Sequence, residues 1–401
     1  MAVDAEAART IGMRVWQIRD SRGKSLRAVA ELAGMNHTTL WRIENGERAL
    51  SSRAEVSALA EALQIAPSEL TSLPIPAPGD GLTDSTIEAV RRALMAVNHR
   101  HFHGKVLPVG TLRERVGNML VAVSIGDQET AGSLLPGLVS DLHASIVVGR
   151  DTAELLELAV LLHTQGTIAW LRTAGASVDL REQVSTLARR LAEERDDSTA
   201  LGLAVAGSVR VMMSSGAFDL ALAELNSVSV PTDSPESMQL AGMLALYRAE
   251  VAAADSRSGD VEPGLEYAGE LAERTGERNA YMLGFGPTNT EIARVSIALD
   301  LHDYDTAVGT AERIHPEQHA NQSRRAAYWA YYGRALARLK PRRDDAIKAL
   351  RQAELIVPHR VLRDPFVREM IAELLPRTRR NSPAGQELRG MADRAGILPP
   401  L

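Results

Sequence analysis

The stretch that decides the fold of the N-terminal region is SLRAVAELAGMNHTTLWRIENG, residues Ser25 to Gly46, because it predicts two short helices joined by a sharp turn. Ser25 can act as the N-cap of the first helix, since its hydroxyl can accept a hydrogen bond from an unpaired backbone N–H. Gly34 stands where a chain leaving a helix often needs a left-handed residue. Asn36 can then cap a second helix over residues 37–44.

The predicted second helix has two unlike faces. Leu40 and Ile43 lie on one face and are apolar. The opposite face has residues spaced as i, i+3 and i+4 neighbours: His37, Thr38, Trp41 and Arg42. Arginine can donate two hydrogen bonds to a guanine edge, and threonine can hydrogen-bond to a base or contact a thymine methyl group. This polar face therefore predicts contact with DNA.

The two helices resemble the helix-turn-helix of the lambda-repressor/Cro-like family, often called the XRE family. The resemblance extends over roughly residues 8 to 73. The matching residues are Val29-Ala30, Gly34, Leu40 and the run Arg42-Ile43-Glu44-Asn45-Gly46. In that family the second helix of the motif lies in the major groove of DNA, with its N-terminal residues at base edges. An unrelated helical hairpin is the alternative interpretation.

The resemblance implies roles for individual residues. By position, the residues that contact bases would be His37, Thr38 and Arg42. The family often has a phosphate-binding glutamine where Leu26 stands here, so other residues must contact the DNA backbone. The residues expected to contact the backbone or flank the interface are Arg22, Ser25, Arg27, Trp41, Arg48 and Arg53. Arg19 stands where the family commonly has an arginine that pairs with a glutamate, here Glu44.

Composition limits the class of protein. The chain has 401 residues, of which 45% are hydrophobic and 24% charged, so we expect a globular protein with two or three domains. It has no cysteine, which excludes a disulfide framework, a thiol nucleophile and cysteine-ligated zinc. The first ten residues, MAVDAEAART, do not resemble a signal peptide, and no run of eighteen apolar residues occurs. We therefore expect a cytoplasmic protein.

Charge is distributed unevenly along the chain. The net charge is −6, but residues 1–73 contain nine basic and nine acidic residues, so the rest of the chain carries the whole excess. Between positions 14 and 27 the only acidic residue is Asp20. The basic residues in this interval are Arg14, Arg19, Arg22, Lys24 and Arg27. A basic stripe of this kind suits phosphate contacts, so we expect DNA to bind the N-terminal region alone.

The sequence predicts a boundary after the first five helices. Besides the motif, helices are expected over residues 8–20, 53–63 and 68–73. The segment PIPAPGDG that follows has three prolines and two glycines and predicts a semi-rigid linker. The resulting domains are a DNA-binding domain at 1–73, a linker at 74–82 and a helical domain at 83–401.

The helical domain contains a recurring phrase, in which a small residue follows a turn residue by five positions. Four of these small residues, separated by about 43, 43 and 39 positions, are Ala221, Gly264, Ala307 and Ala346. The pattern resembles degenerate tetratricopeptide (TPR) repeats, although a regular unit has about 34 residues. The fold class predicted is therefore all-α, with a five-helix domain followed by a TPR-like α-solenoid. A non-repeating helical bundle is the alternative.

A solenoid of helix pairs would have a concave surface formed by the first helix of each pair. We expect these helices at 151–174, 198–214, 236–254, 287–300 and 322–338. The polar and aromatic residues on them that could bind a ligand are Trp170, Arg210, Tyr247, Arg248, Asn289, Arg294, Tyr328 and Tyr331. Tyrosine and tryptophan at helical spacing are also explained by core packing.

No constellation of residues predicts an enzyme, a cofactor or a metal site. His99, His101 and His103 alternate, but no acidic ligand is close, so a solvated loop explains them better than a metal. The predicted architecture resembles Gram-positive quorum-sensing regulators that join an XRE-type domain to TPRs and respond to secreted peptides. The resemblance implies a homodimer that binds a double-stranded, palindromic operator and senses a peptide or small molecule. A DNA-bound adaptor that recruits a partner protein is the alternative.

Overall fold

The computed structural model describes residues 10–71 and 81–397, and these residues form helices and loops with no β-strand. This confirms the all-α prediction. Five helices form the N-terminal domain: α1 (Ile11–Ser21), α2 (Leu26–Leu32), α3 (His37–Glu44), α4 (Arg53–Leu63) and α5 (Pro67–Thr71). Their apolar faces meet in one core, whose fully buried members include Ile11, Val15, Leu40, Ile43 and Leu59.

Local hydrogen bonds explain where these helices begin and end. The Ser25 hydroxyl accepts from the Ala28 N–H at 3.2 Å, and the Asn36 side chain accepts from the Thr38 N–H at 2.8 Å, as predicted. Gly34 has φ +64°, a left-handed conformation that side chains with a Cβ rarely adopt. The first helix begins at Ile11, and residues 8–9 and 72–73 of the predicted helices lie outside the described residues.

The remaining described residues form seventeen α-helices, interrupted by short 3-10 and π segments. The predicted linker residues 74–80 lie outside the described residues, and α6 begins at Gly81, two residues before the predicted start of the helical domain. The first nine of these helices are α6 (Gly81–Asn98), α7 (Val109–Ile125), α8 (Gln128–Val147), α9 (Thr152–Leu161), α10 (Ile168–Ala174), α11 (Val178–Arg195), α12 (Ser198–Ser215), α13 (Phe218–Asn226) and α14 (Pro235–Ala254). The other eight are α15 (Val261–Thr275), α16 (Pro287–Asp300), α17 (Tyr304–Ala311), α18 (Gln322–Arg338), α19 (Arg343–Ile356), α20 (Pro358–Leu362), α21 (Pro365–Leu374) and α22 (Pro383–Arg394).

Helices α12 to α19 pack as four successive pairs, α12–α13, α14–α15, α16–α17 and α18–α19, and each first helix also contacts the first helix of the next pair. These first helices agree with the predicted positions. The recurring small residues lie in the second helices, where Ala221, Ala307 and Ala346 are fully buried. A Cβ on Gly264 would lie 2.9 Å from the carbonyl oxygen of Ala245, so the paired helices approach closely there. Stacked helix pairs are thus present, and their assignment as TPRs stays a prediction.

A π-helical segment, Leu162–Thr167, joins α9 to α10 within the predicted helix 151–174. Its His163 is fully buried, and its Nε2 lies 2.9 Å from Nε2 of the buried His143. Burial lowers the pKa of His143 to about 4, with Arg190 adding to the effect, and lowers the pKa of His163 well below its ordinary value. Both histidines are therefore neutral at pH 7.

Candidate nucleic-acid interface and the adjoining cavity

Helix α3 presents the polar face that its sequence predicts. Leu40 and Ile43 are buried in the core of the N-terminal domain, whereas the opposite face is exposed to solvent. The exposed residues are His37, Thr38, Trp41 and Arg42. The structure thus brings the three predicted base contacts together within the first two turns of one helix.

The orientation of α3 is held by α1. Arg19 donates to both carboxylate oxygens of Glu44, with Nε–Oε1 at 2.6 Å and Nη2–Oε2 at 2.8 Å. The hydrogen bond to Glu44 raises the pKa of Arg19, because the charged form is favoured. A Cβ on Gly12 would lie 2.0 Å from the carbonyl oxygen of Ile43, so only glycine permits this approach of the two helices. The expected Arg19–Glu44 pairing is present as a bidentate ion pair.

The predicted flanking residues lie in different environments. Ser25 and Arg27 are exposed at the start of α2, and Arg22 donates to the carbonyl oxygen of Gln64 at 3.2 Å. Arg48 and Arg53 form ion pairs within the protein, with Glu55 and Asp300 respectively. Their roles in DNA binding stay predictions. The Asp300 contact directs Arg53 towards helices α6 to α22, which are called the repeat region below.

The N-terminal domain docks on the repeat region through the segment that joins α3 to α4. Arg338 donates to Glu373 at 2.9 Å and to the carbonyl oxygen of Ala49 at 3.0 Å, while Glu373 also accepts from the Ala49 N–H at 2.7 Å. Arg334 donates to the carbonyl oxygen of Ser51 at 2.9 Å. Side chains from α18 and α21 therefore satisfy backbone groups that a loop would otherwise expose to water.

A second set of contacts holds α1 itself. The carboxylate of Glu369 in α21 accepts a hydrogen bond from the Ile11 N–H, the first amide of α1. Burial raises the pKa of Glu369 to about 7, although the amides of Ile11 and Gly12 favour its charged form. A carboxylate at a helix N-terminus is well placed to satisfy the unpaired amides there.

Sequence reasoning did not find this docking surface, although α18 and α21 carry a signal for it. Arg334 and Arg338 are four residues apart, as are Glu369 and Glu373, so each pair lies on one face of its helix. All four charged side chains lie among apolar residues of their helices. Charges at such positions indicate a surface that another part of the chain covers.

Four of the eight predicted ligand residues are buried. Trp170 donates from Nε1 to the carbonyl oxygen of Gln128 at 3.0 Å, and the Tyr328 hydroxyl donates to the carbonyl oxygen of Ala311 at 3.0 Å. Tyr247 is buried in the core. Asn289 is also buried, and its Oδ1 has no hydrogen-bond partner among the described residues.

The other predicted ligand residues are less buried. Arg248 donates to the carbonyl oxygen of Leu225 at 2.5 Å, and Arg294 lies near Glu262 and Glu291. Tyr331 and Arg210 line two different cavities. Only these two of the eight predicted residues line the cavities described here, and ligand binding by all eight stays a prediction.

The larger cavity, of about 320 Å³, lies between the N-terminal domain and the repeats. Helices α4 and α5 form one wall, and residues of α10 to α13, of α18 and of the start of α21 with the segment before it form the others. The charged residues that line it are Arg53, Arg172, Arg181, Arg334, Arg363 and Asp364. This arginine cluster could not be predicted from the sequence, because its members come from parts of the chain up to 310 residues apart.

Among residues 10–71 and 81–397, no group of three or more histidine, cysteine or carboxylate side chains could hold a metal ion. His99, His101 and His103 have exposed side chains. Within the same ranges, no helix is long and apolar enough to cross a membrane.

Comparison with known proteins identifies the N-terminal region. Residues 10–73 match the family described as Helix-turn-helix domain. No curated protein matches the chain. The chain is similar to the apo form of the competence regulator ComR from Streptococcus vestibularis, with a TM-score of 0.29 and 14% identity over 96% of this chain and 98% of that one. It is also similar to ComR from S. thermophilus in complex with DNA and its signalling peptide ComS, with a TM-score of 0.26 and 14% identity over 96% and 100%.

The match over residues 10–73 agrees with the order, capping and packing of α1 to α5. Residues 10–73 of this chain are therefore a helix-turn-helix domain.

Proposed function

We propose that this protein is a sequence-specific transcriptional regulator that binds DNA through the exposed face of α3. The observation that supports this most strongly is the joint exposure of His37, Thr38 and Arg42 on a helix of a helix-turn-helix domain. The ion pair between Arg19 and Glu44 holds this helix against α1, so the three side chains have a defined spacing. Residues on the exposed N-terminal part of such a helix can reach base edges in the major groove.

We further propose that the protein binds its operator as a homodimer. One helix-turn-helix reads only a few base pairs, so specificity on a genome needs two half-sites. The repeat region has far more surface for a two-fold contact than the small N-terminal domain. Light scattering of the full chain and of a fragment spanning 81–401 tests this proposal. Both should be dimers at tens of micromolar, and a monomeric full chain would contradict it.

The repeat region is proposed to sense a peptide or small-molecule signal. Support comes from the cavity of about 320 Å³ that both domains line, because a molecule bound there would touch α4 and the repeats together. Arg53 of α4 lines this cavity and forms an ion pair with Asp300 of α16. Binding in the cavity could thus change the contacts between the two domains.

Selection from a pool of random double-stranded DNA tests the function directly. The full chain should enrich a symmetric motif with two half-sites, as a dimeric helix-turn-helix protein does. The matched control replaces the three exposed residues of α3 together, His37→Ala, Thr38→Ala and Arg42→Ala. This control should enrich no motif while it keeps the unfolding temperature of the parent. Equal enrichment by both proteins would refute base contact by α3.

A further inference from the structure

The larger cavity has an unusual balance of charge. Five arginines line it, against one carboxylate, that of Asp364. Asp364 already accepts from the amides of Phe366 and Val367, at 3.0 and 3.1 Å, because it caps the start of α21. Arg53 forms an ion pair with Asp300 of α16. Arginines are therefore in excess over carboxylates among the residues that line the cavity.

Arg181 shows this excess most clearly. Its side chain is 8% exposed, and its Nε has no hydrogen-bond partner among the described residues. Its Nη1 has one long contact, at 3.4 Å, with the hydroxyl of Ser214. Burial lowers the pKa of Arg181 to about 10, and the charge of Arg210 lowers it further. A buried guanidinium without an anion costs stability, so an arginine is unfavourable here unless something else binds it.

Arg334 faces the same cavity from α18. It is 7% exposed, donates to the carbonyl oxygen of Ser51 and lies over the ring of Phe366, 4.7 Å from its centroid. Burial lowers its pKa, although Asp364 and Asp300 act in the opposite direction. No carboxylate oxygen of the described residues lies within 4 Å of its guanidinium nitrogens. Arg181 and Arg334 are thus two buried arginines of one cavity that form no ion pair with a carboxylate of the described residues.

We propose that this cavity binds an anionic group, a carboxylate or a phosphate, of the signal that the repeats sense, with Arg181 as its main contact. The inference rests on the proposed function and names the chemical class of the ligand. A guanidinium can donate two parallel hydrogen bonds to either anion. A volume of about 320 Å³ suits a small molecule or the end of a peptide, since ligand cavities are commonly a few hundred Å³. A ligand there also touches Val56 of α4 and Thr71 of α5.

Titration calorimetry on the full chain, without DNA, tests the proposal. The probes are inorganic phosphate, adenosine monophosphate, and a pool of pentapeptides with either a free or an amidated C-terminus, all at constant ionic strength. Binding of the phosphates alone indicates a phosphorylated signal. Binding of the free peptides but not of the amidated ones indicates a peptide carboxylate. Absence of binding by every anionic probe at millimolar concentration overturns the proposal.

Two variants with a matched control locate the site. Arg181→Gln should weaken binding of the anion at least tenfold and leave the unliganded protein at least as stable, since it removes an unpaired buried charge. Arg92→Gln removes an exposed arginine of α6 that pairs with Glu88, and should change neither property. Unchanged binding by Arg181→Gln overturns the assignment.

Ser214→Asp provides a second variant that does not remove Arg181. The new carboxylate would lie beside the guanidinium, occupy the place of the anion, raise the unfolding temperature and abolish anion binding. Anion binding equal to that of the parent overturns the proposal. Because these measurements need no DNA, their failure would leave the proposed DNA-binding function untouched, and the DNA selection could fail while anion binding persists.

Discussion

The helix-turn-helix domain has two faces on which arginines play opposite parts. On the exposed face of α3, Arg42 has one distant contact, with Glu47 at 3.8 Å, and both side chains are largely in solvent. On the docked face, Arg338 reaches in from α18, and the side chains of the Arg338–Glu373 pair are 12% and 5% exposed. Arg42 therefore has little effect on stability and is accessible to a partner, whereas Arg338 is held by contacts within the protein.

The difference predicts that the exposed Arg42 serves binding and that the buried, paired Arg338 serves stability. Exposed ion pairs contribute about 0–1 kcal/mol to stability, because water and salt screen them. A buried charge that loses its partner costs about 3–5 kcal/mol, because it stays desolvated without compensation. The docked face should therefore respond strongly to loss of a charge, and the exposed face should respond only when DNA is present.

The largest effect is expected at Glu373. We expect Glu373→Ala to lower the free energy of unfolding by about 3–5 kcal/mol, because Arg338 would keep its burial and lose its carboxylate. The matched control, Glu312→Ala, breaks the exposed pair of Glu312 with Arg342 and should cost less than about 1 kcal/mol. Urea unfolding of the full chain measures both. Equal losses in the two variants would show that the docked face is as well solvated as the exposed one.

The Arg19–Glu44 pair joins α1 to α3, and a double-mutant cycle measures its contribution to stability. We expect Arg19→Ala and Glu44→Ala each to destabilise the protein and to show a coupling energy of about 1–3 kcal/mol, because either single change strands a partly buried charge. Urea unfolding of the parent, both single variants and the double variant provides the four values. Strictly additive effects would mean that the ion pair does not hold α3 against α1.

The buried histidines of the repeat region should make stability depend on pH. Their folded pKa values lie below the unfolded value of about 6.5, so above that pH they have no effect. As the pH falls from 6.5 towards 4, these histidines bind protons in the unfolded chain but not in the folded one. The free energy of unfolding should then fall by up to about 1.4 kcal/mol per pH unit for each histidine.

Glu369 acts with the opposite sign, because its raised pKa makes the folded state the better proton acceptor between about pH 4.5 and 7. The contribution of Glu369 cancels when the parent is compared with the double variant His143→Gln, His163→Gln, since both proteins contain Glu369. The difference in unfolding free energy between parent and variant should become less favourable to the parent below pH 6.5. A difference that stays constant from pH 7.5 to 5 would contradict the neutral buried pair.

The helix-turn-helix could be predicted from sequence because its determinants are local. The caps at Ser25 and Asn36 act within three residues, and the turn at Gly34 depends on one conformation. The stacked helix pairs were predicted for a similar reason, since a small residue such as Ala307 recurs at a regular distance from a turn.

The docked face and the arginine cavity could not be predicted in the same way. Ser51 meets Arg334, and Arg53 meets Asp300, across more than 240 positions of the chain. Such contacts depend on how the solenoid curves, and no local spacing records that curvature. The predicted ligand residues failed to indicate the cavity for a related reason: aromatic residues such as Trp170 and Tyr328 were chosen by chemistry, and the structure buries them among helices.

The most direct test of the central claim, that the exposed face of α3 reads DNA sequence, compares Arg42→Ala with Arg27→Ala. Affinity is measured by fluorescence anisotropy on the selected motif and on scrambled DNA, over several salt concentrations. Arg42→Ala should weaken binding to the motif by about 1–3 kcal/mol and leave binding to scrambled DNA nearly unchanged. Arg27→Ala should weaken both alike and reduce the salt dependence, as loss of a phosphate contact does. Equal losses on motif and scrambled DNA for Arg42→Ala would contradict base recognition by α3.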